Sequence, residues 1–226
     1  MTSAAHRFRP RKDPVQARAV ETRDRILDSA ARVFARHGYA AGTTNRIAEA
    51  AGLSVGSLYQ YFPNKDSILV ELVRRHLDTG RRAVEERLAG VAAATTAEVL
   101  AAVVDAMIAV HAEDPALHQV LFEESPRPPE LLAELHALED EVVAVGAGVL
   151  AADPTVDVAD PELAARLVLT TIESLVHRVV ATRDIDRRVD LAAFRHELLT
   201  LVSRYLGLSE PEQTDGRGRR YSADVG

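Results

Sequence analysis

Almost every periodic stretch of this chain repeats its apolar positions at three- and four-residue intervals, the spacing of one face of an α-helix. Ile26, Leu27, Ala30, Val33 and Phe34 fall at i, i+1, i+4, i+7 and i+8, which predicts a helix from Val15 to His37 with Gly38 as its stop. A short helix follows in GTTNRIAEAAG, with Thr43 as N-cap and Gly52 at its end, and a second in SVGSLYQYF, with Ser54 as N-cap and Pro63 as brake. Asn64 then caps a longer helix whose inner side carries Ile68, Leu69, Leu72, Val73, His76 and Leu77. Five further helices are predicted over roughly 95–112, 115–124, 129–151, 161–182 and 190–207. The breaks between them are rich in Pro and Asp, and Pro115, Pro129 and Pro161 each suit a first helical turn. No strand pattern or internal repeat stands out. The expected fold is all-α, about nine helices.

Charge divides the chain where the pattern does not. Residues 1–66 hold 11 Lys+Arg against 6 Asp+Glu, a net +5, while the remainder holds 16 against 28, a net −12. A basic head meets polyanions and an acidic body does not. With the helical pattern this suggests four parts: a flexible basic arm over 1–14, a basic helical head over 15–66, an acidic helical body over 67–207, and a disordered tail over 208–226. The absence of Cys excludes disulfides, thiolate metal sites and cysteine nucleophiles. No apolar run approaches a membrane span, and MTSAAHRFRPRKDPVQ has no apolar leader core, so the expected location is cytoplasmic, without a membrane partner.

The two short helices carry the chemistry. Counting from Thr44, Ala48 is the fifth residue, Gly52 the ninth and Leu58 the fifteenth. A helix-turn-helix needs a small residue where its helices cross, one that tolerates positive φ in the turn, and an apolar residue that locks the pair together. The chain is poor in aromatics, yet LYQYF holds three of them. If Leu58 points inward, Phe62 four residues on does too, which leaves Tyr59 and Gln60 outward and Tyr61 at the margin. The Tyr59 hydroxyl then suits a phosphate, and Lys65 at the start of the next helix suits another. Ser54, Val55, Gly56 and Ser57 form the turn that enters the major groove first. There Gly56 permits close approach, Val55 can touch a thymine methyl, and Ser57 and Gln60 can bond base edges.

Taken together, RDRILDSAARVFARHGYAAG and TTNRIAEAAGLSVGSLYQYFPNKDSIL resemble the DNA-binding domain of the TetR/AcrR family of bacterial transcriptional regulators, over about residues 20–70. The remaining chain resembles that family only in length and helical pattern. The resemblance implies a homodimeric regulator, a repressor more readily than an activator, that leaves a double-stranded operator when a small-molecule effector binds. It implies phosphate contacts for Thr43, Thr44, Tyr59 and Lys65, and a base or phosphate contact for Asn45, whose amide could read adenine. Gln60 and Tyr61 fall where other members carry other groups. Arg7, Arg9, Arg11 and Lys12 either reach an adjacent groove or form a solvated tail.

The acidic body carries no hydrolase, zinc-protease, phosphate-loop or dinucleotide motif, and no cofactor is expected. His111 and His118 are separated by Pro115, so no regular helix aligns them and no metal site is expected. Met107 with His111, and Glu173 with His177, share helix faces in apolar stretches, and with Phe122 they are the candidate effector contacts. Pairing with each other, or a place at a dimer rim, suits Glu173 and His177 equally well. The last two helices hold more apolar residues than one packing face needs, and Leu167, Leu175, Val179, Phe194, Leu198, Val202 and Tyr205 are the candidate dimer contacts. Two alternatives remain: an architectural DNA-binding protein without an effector, or an all-helical enzyme using Glu173 and His177.

Overall fold

Side-chain caps start most of the helices. Thr43 accepts from the Arg46 amide, Ser54 from Ser57 and Asn64 from Ser67. Thr95 and Glu98 form a reciprocal capping box, and Asp114, Asp160 and Asp190 each accept from amides of the turn they precede. Each cap satisfies donors that the helix leaves unpaired, so these helices begin where the sequence places a short polar side chain. A computed structural model describes residues 17–89, 95–181 and 189–209. The basic arm, with Arg7, Arg9, Arg11 and Lys12, nearly all of the 208–226 tail and the 182–188 connection lie outside the described residues.

Among the described residues there are nine α-helices and no strand: α1 Ala17–Ala41, α2 Thr44–Ala50, α3 Val55–Tyr59, α4 Lys65–Leu88, α5 Thr96–Glu113, α6 Pro115–Gln119, α7 Pro129–Ala152, α8 Pro161–Val176 and α9 Leu191–Tyr205. The all-α expectation therefore holds, with three differences of detail. α1 breaks at Gly38, as its glycine foretells, at φ 72°, but a further turn continues to Ala41. α6 and α8 do not simply continue to the next break. Each widens into a π-helical turn, Val120–Glu124 after α6 and His177–Ala181 after α8. Periodicity cannot distinguish such a turn from an α-helical one, and π turns often accompany functional sites.

Two cores form. The first holds Ile26, Phe34, Ile47, Leu58, Phe62, Ile68 and Leu69 from α1 to α4, and it also takes in Val120, Leu121 and Leu131 from further along the chain. The second joins α5, α7, α8 and α9 through Val104, Val143, Ile172, Val176, Leu198 and Leu206. α4 stands in the first core through Val73 and then runs alongside α5. Arg195 on α9 grips Asp105 on α5 with two N–H groups, and Arg166 on α8 reaches Glu139 and Asp140 on α7. No helix among the described residues is long and apolar enough to cross a membrane.

Candidate nucleic-acid interface and effector core

The helix-turn-helix is built by short-range rules. Ala48 is buried where α2 and α3 cross, and Leu58 and Phe62 are fully buried beneath α3. Gly52 adopts φ 65° in the turn, where its amide bonds the Glu49 carbonyl at 3.0 Å and the Leu53 amide bonds Ala48 at 2.9 Å. A side chain with a Cβ would find space there but would be strained by that φ. Tyr59 faces away from the core, 37% exposed, and its hydroxyl lies 3.2 Å from the Thr44 hydroxyl. Thr43, Asn45, Ser54, Val55, Gly56 and Gln60 are exposed on the same short segments, and Ser57 is half-buried. A Cβ on Gly56 would meet only the Ser54 hydroxyl, at 3.9 Å, so the first turn of α3 presents an open face. The Ser54 and Ser57 hydroxyls lie 2.8 Å apart and are partly engaged with each other. Tyr61 packs half-buried against the first core.

Lys65 differs from its simplest expectation. Its ammonium donates to the carbonyls of Tyr39 at 2.7 Å and Ala40 at 3.2 Å, at the end of α1, and stands 4.0 Å from the Tyr39 ring centre. Two of three N–H groups thus neutralise carbonyls that a helix end leaves unpaired, which makes Lys65 a clamp between α4 and α1. The Tyr39 hydroxyl donates to buried Asp66, and the Tyr39 amide donates to Glu124 at 3.0 Å. The sequence offers no sign of these partners, because they lie 25 to 85 positions away.

In the body, three of the five expected effector contacts converge, and they bring two unexpected neighbours. His111 on α5 and His118 on α6 are both buried, with ring centres 4.0 Å apart. The reasoning that Pro115 keeps them apart is thereby corrected. Pro115 opens a new helix that folds α6 back beside α5 instead of continuing its line. His177 follows, 3.2 Å from His118 between their Nδ1 atoms, and its Nε2 lies 3.0 Å from a Glu123 carboxylate oxygen. Phe122 stacks on His118 at 4.5 Å, and His76 from α4 stands edge-on to both. His111 holds the Met107 carbonyl at 2.8 Å through Nδ1. Burial pushes His118 down to about 2, helped by repulsion from His111, His76 and His177, and it pushes His76 down to about 4, helped by His111. These rings are neutral at physiological pH.

Glu173 stands one helical turn before His177, whose amide bonds its carbonyl, at the edge of this cluster. Its residue surface is exposed, but partial loss of hydration at the carboxyl, with added repulsion from Glu139, raises its pKa against the attraction of His177 and Arg127. Met107 belongs to the fringe of the second core. His118 and His76 are thus the members that sequence reasoning missed, although His76 was placed on the inner side of its helix.

The expected dimer contacts divide. Leu198 and Val202 are buried in the chain's own second core, a correction that follows from α9 packing on α5. Leu175 and Phe194 pack half-buried against that core, and Val179 is half-buried. Leu167 and Tyr205 are exposed, together with Leu163 and Leu201, and these four put large apolar surface on the outer sides of α8 and α9.

Comparison with known proteins agrees with this architecture. Residues 26–72 match the family model described as bacterial regulatory proteins, tetR family, and residues 95–206 match the one described as Tetracyclin repressor-like, C-terminal domain. The Fatty acid metabolism regulator protein of Bacillus subtilis is 27% identical over 185 residues, covering 78% of this chain and 91% of that protein. The HTH-type transcriptional repressor KstR2 of Rhodococcus jostii is 46% identical, but over 56 residues that span only 28% of its length. Among solved structures, the Bacillus subtilis regulator FadR in complex with stearoyl-CoA superposes with a TM-score of 0.64 at 27% identity, covering 82% of this chain and 99% of that one. A tetR-family regulatory protein from Rhodococcus superposes at 0.68 with 23% identity, covering 84% and 98%, a likeness of fold.

Proposed function

Because the chain belongs to the TetR family of bacterial regulatory proteins, we propose that it is a cytoplasmic repressor that binds a palindromic operator as a two-fold dimer and leaves it when a small, mainly apolar effector binds. The observation that carries the reading is the face of α2 and α3, where exposed Val55, Gly56, Tyr59 and Gln60 stand over a buried Ala48–Leu58 lock. In this reading α3 enters the major groove, Thr43, Thr44 and Tyr59 hold phosphates, and Asn45, Ser57 and Gln60 address bases. Lys65 holds the end of α1 in place and offers its remaining N–H to the backbone of the DNA.

Exposed Leu163 and Leu167 on α8 with Leu201 and Tyr205 on α9 support a four-helix contact between two subunits. The effector would act in the body, where α4 passes α5 and the first core takes in Val120 and Leu121. The Bacillus subtilis relative seen with stearoyl-CoA favours a long acyl group as the first effector class to try. The role is one of binding, and Glu173 and His177 have no catalytic part in it.

The test is selection of random duplexes by the purified protein at two salt concentrations, followed by titration of long-chain acyl-CoA into the protein–operator complex. A palindromic consensus released by ligand is the expected result. Salt-sensitive binding without a consensus would overturn it in favour of an architectural protein.

A further inference from the structure

Three histidines from three different helical elements meet around one point of the body: His111 from α5, His118 from α6 and His177 from the π-helical turn after α8. One ring nitrogen of each lies within 4.8 Å of those of the others. A tetrahedral cation with metal–nitrogen bonds of about 2.0–2.1 Å holds neighbouring ligand nitrogens about 3.3 Å apart. The His118 and His177 Nδ1 atoms are already 3.2 Å apart. The third ligand would come from His111, whose ring centre is 4.0 Å from that of His118.

The bonds around these rings select which nitrogen faces the centre. His177 can donate from Nε2 to the Glu123 carboxylate at 3.0 Å, which leaves the Nδ1 lone pair turned towards His118. His111 can donate from Nδ1 to the Met107 carbonyl at 2.8 Å, which leaves Nε2 with a lone pair. Carboxylate and carbonyl acceptors of this kind are the partners that fix the tautomer and orientation of metal-bound histidines. His111 and His118 are also buried, which shields a bound cation from solvent. As a purely structural cluster the arrangement is costly. Buried imidazoles held against each other gain at most one hydrogen bond per facing pair, and an apolar side chain would fill the space without a desolvation cost.

We propose that His111, His118 and His177 form a binding site for a divalent transition-metal cation of the zinc class, with Glu123 and the Met107 carbonyl orienting two of the three ligands. Three imidazoles and no carboxylate at the centre select borderline cations such as Zn2+, Co2+ or Ni2+ over Mg2+ or Ca2+. Three protein ligands leave a fourth position for water, for a polar group of an effector or for His76, whose ring centre is 5.0 Å from that of His118. The site also has a mechanical address. Glu123 is followed by Glu124, which accepts from the Tyr39 amide at the end of α1, so the cation sits one residue from a direct contact with the DNA-binding head.

The experiment is titration of Co2+ into untagged, chelator-treated full-length protein, followed by visible absorption and by competition with Zn2+. The expected result is one equivalent per chain with the intense ligand-field bands of a tetrahedral site, displaced by Zn2+. His177→Gln removes a ligand at a half-buried position and should abolish those bands, while His136→Ala, at an exposed histidine outside the cluster, should leave them intact. Glu123→Gln should weaken affinity by about 10-fold, the effect of losing an orienting partner, without changing metal-free thermal unfolding. Absence of tetrahedral bands in the wild-type protein, or bands that survive His177→Gln, would overturn the site. Neither result touches the repressor reading, because operator binding is measured separately.

Discussion

Replacing Tyr59 by Phe deletes one oxygen from the DNA-facing surface and nothing else. The ring keeps its position, since Leu58 and Phe62 beside it anchor the segment and are fully buried. Within the protein the hydroxyl has the Thr44 hydroxyl as a partner at 3.2 Å, on an exposed surface where water replaces it readily, so folding stability should change by less than about 0.5 kcal/mol. In the proposed reading the same oxygen donates to a phosphate on DNA. Hydrogen bonds to charged groups contribute about 1.5–3 kcal/mol. Thr44, adjacent and able to take over part of the contact, reduces this to about 1–1.5 kcal/mol per head. A two-fold dimer loses the contact twice, so operator affinity should fall by roughly 30- to 150-fold. The assay is fluorescence anisotropy on the selected operator over a series of salt concentrations. A neutral hydroxyl displaces no counterion, so the plot of log affinity against log salt should shift down and stay parallel. An affinity within about twofold of wild type, with intact thermal unfolding, would refute the placement of Tyr59 on phosphate.

Other perturbations probe other parts of the argument. Lys65→Ala should lower operator affinity and reduce the salt slope by about one per head, and it should also loosen the end of α1, visible as faster amide exchange at Tyr39 to Ala41. Gly42→Ala would place a Cβ 2.3 Å from a ring carbon of buried Phe34, and the overpacking should cost about 1–3 kcal/mol in urea unfolding. Asp153 joins α5 to the end of α7. Hydrogen bonds from the Thr155 and Thr96 hydroxyls, then from the Thr155 amide, hold its pKa down at about 2. A pKa depressed on folding gives stability that is present above the unfolded value near 4 and is lost as pH falls towards 2. The urea midpoint of the wild type should therefore exceed that of Asp153→Asn by a margin that is constant near neutrality and shrinks below about pH 4.

What could be read in the sequence was what the chain decides within four residues. The caps at Thr43, Ser54 and Asn64, the positive φ of Gly38 and Gly52, and the inward Leu58 and Phe62 with outward Tyr59 all follow from local geometry. The features that were hidden depend on how helices dock. An apolar stripe on α9 has the same sequence signature whether it faces α5 or a second subunit, so Leu198 and Val202 could not be told from Leu201 and Tyr205. A proline that ends one helix can separate two histidines or fold them together, and only the packing of α6 on α5 decides which. The Lys65 clamp was hidden for the same reason, its acceptors being carbonyls of another helix.

The π-helical turn Val120–Glu124 joins head and body by a hydrogen bond, beside the Arg23–Glu71 and Asp28–Arg75 ion pairs between α1 and α4, and it makes the coupling between them testable. Its two consecutive acids point to different parts of the molecule: Glu123 to His177 after α8, Glu124 to the Tyr39 amide at the end of α1. The Tyr39 carbonyl in turn accepts from Lys65, the first residue of α4. A shift of this turn in the body thus reaches both ends of the helix-turn-helix through two bonds. The Tyr39–Glu124 bond is exposed and worth about 1 kcal/mol, a fivefold effect if it exists in only one of two states, which is within the 1–3 kcal/mol that allosteric coupling requires. Glu124→Ala should accordingly leave the operator sequence preference intact, change stability by no more than about 1 kcal/mol, and reduce the effector-induced loss of operator affinity by about fivefold. Measuring operator affinity with and without effector, in wild type and variant, closes the cycle that separates coupling from simple weakening. An unchanged ratio of liganded to free affinity in the variant would show that the signal does not pass through this turn, and would leave the packing of α4 against α5 to carry it.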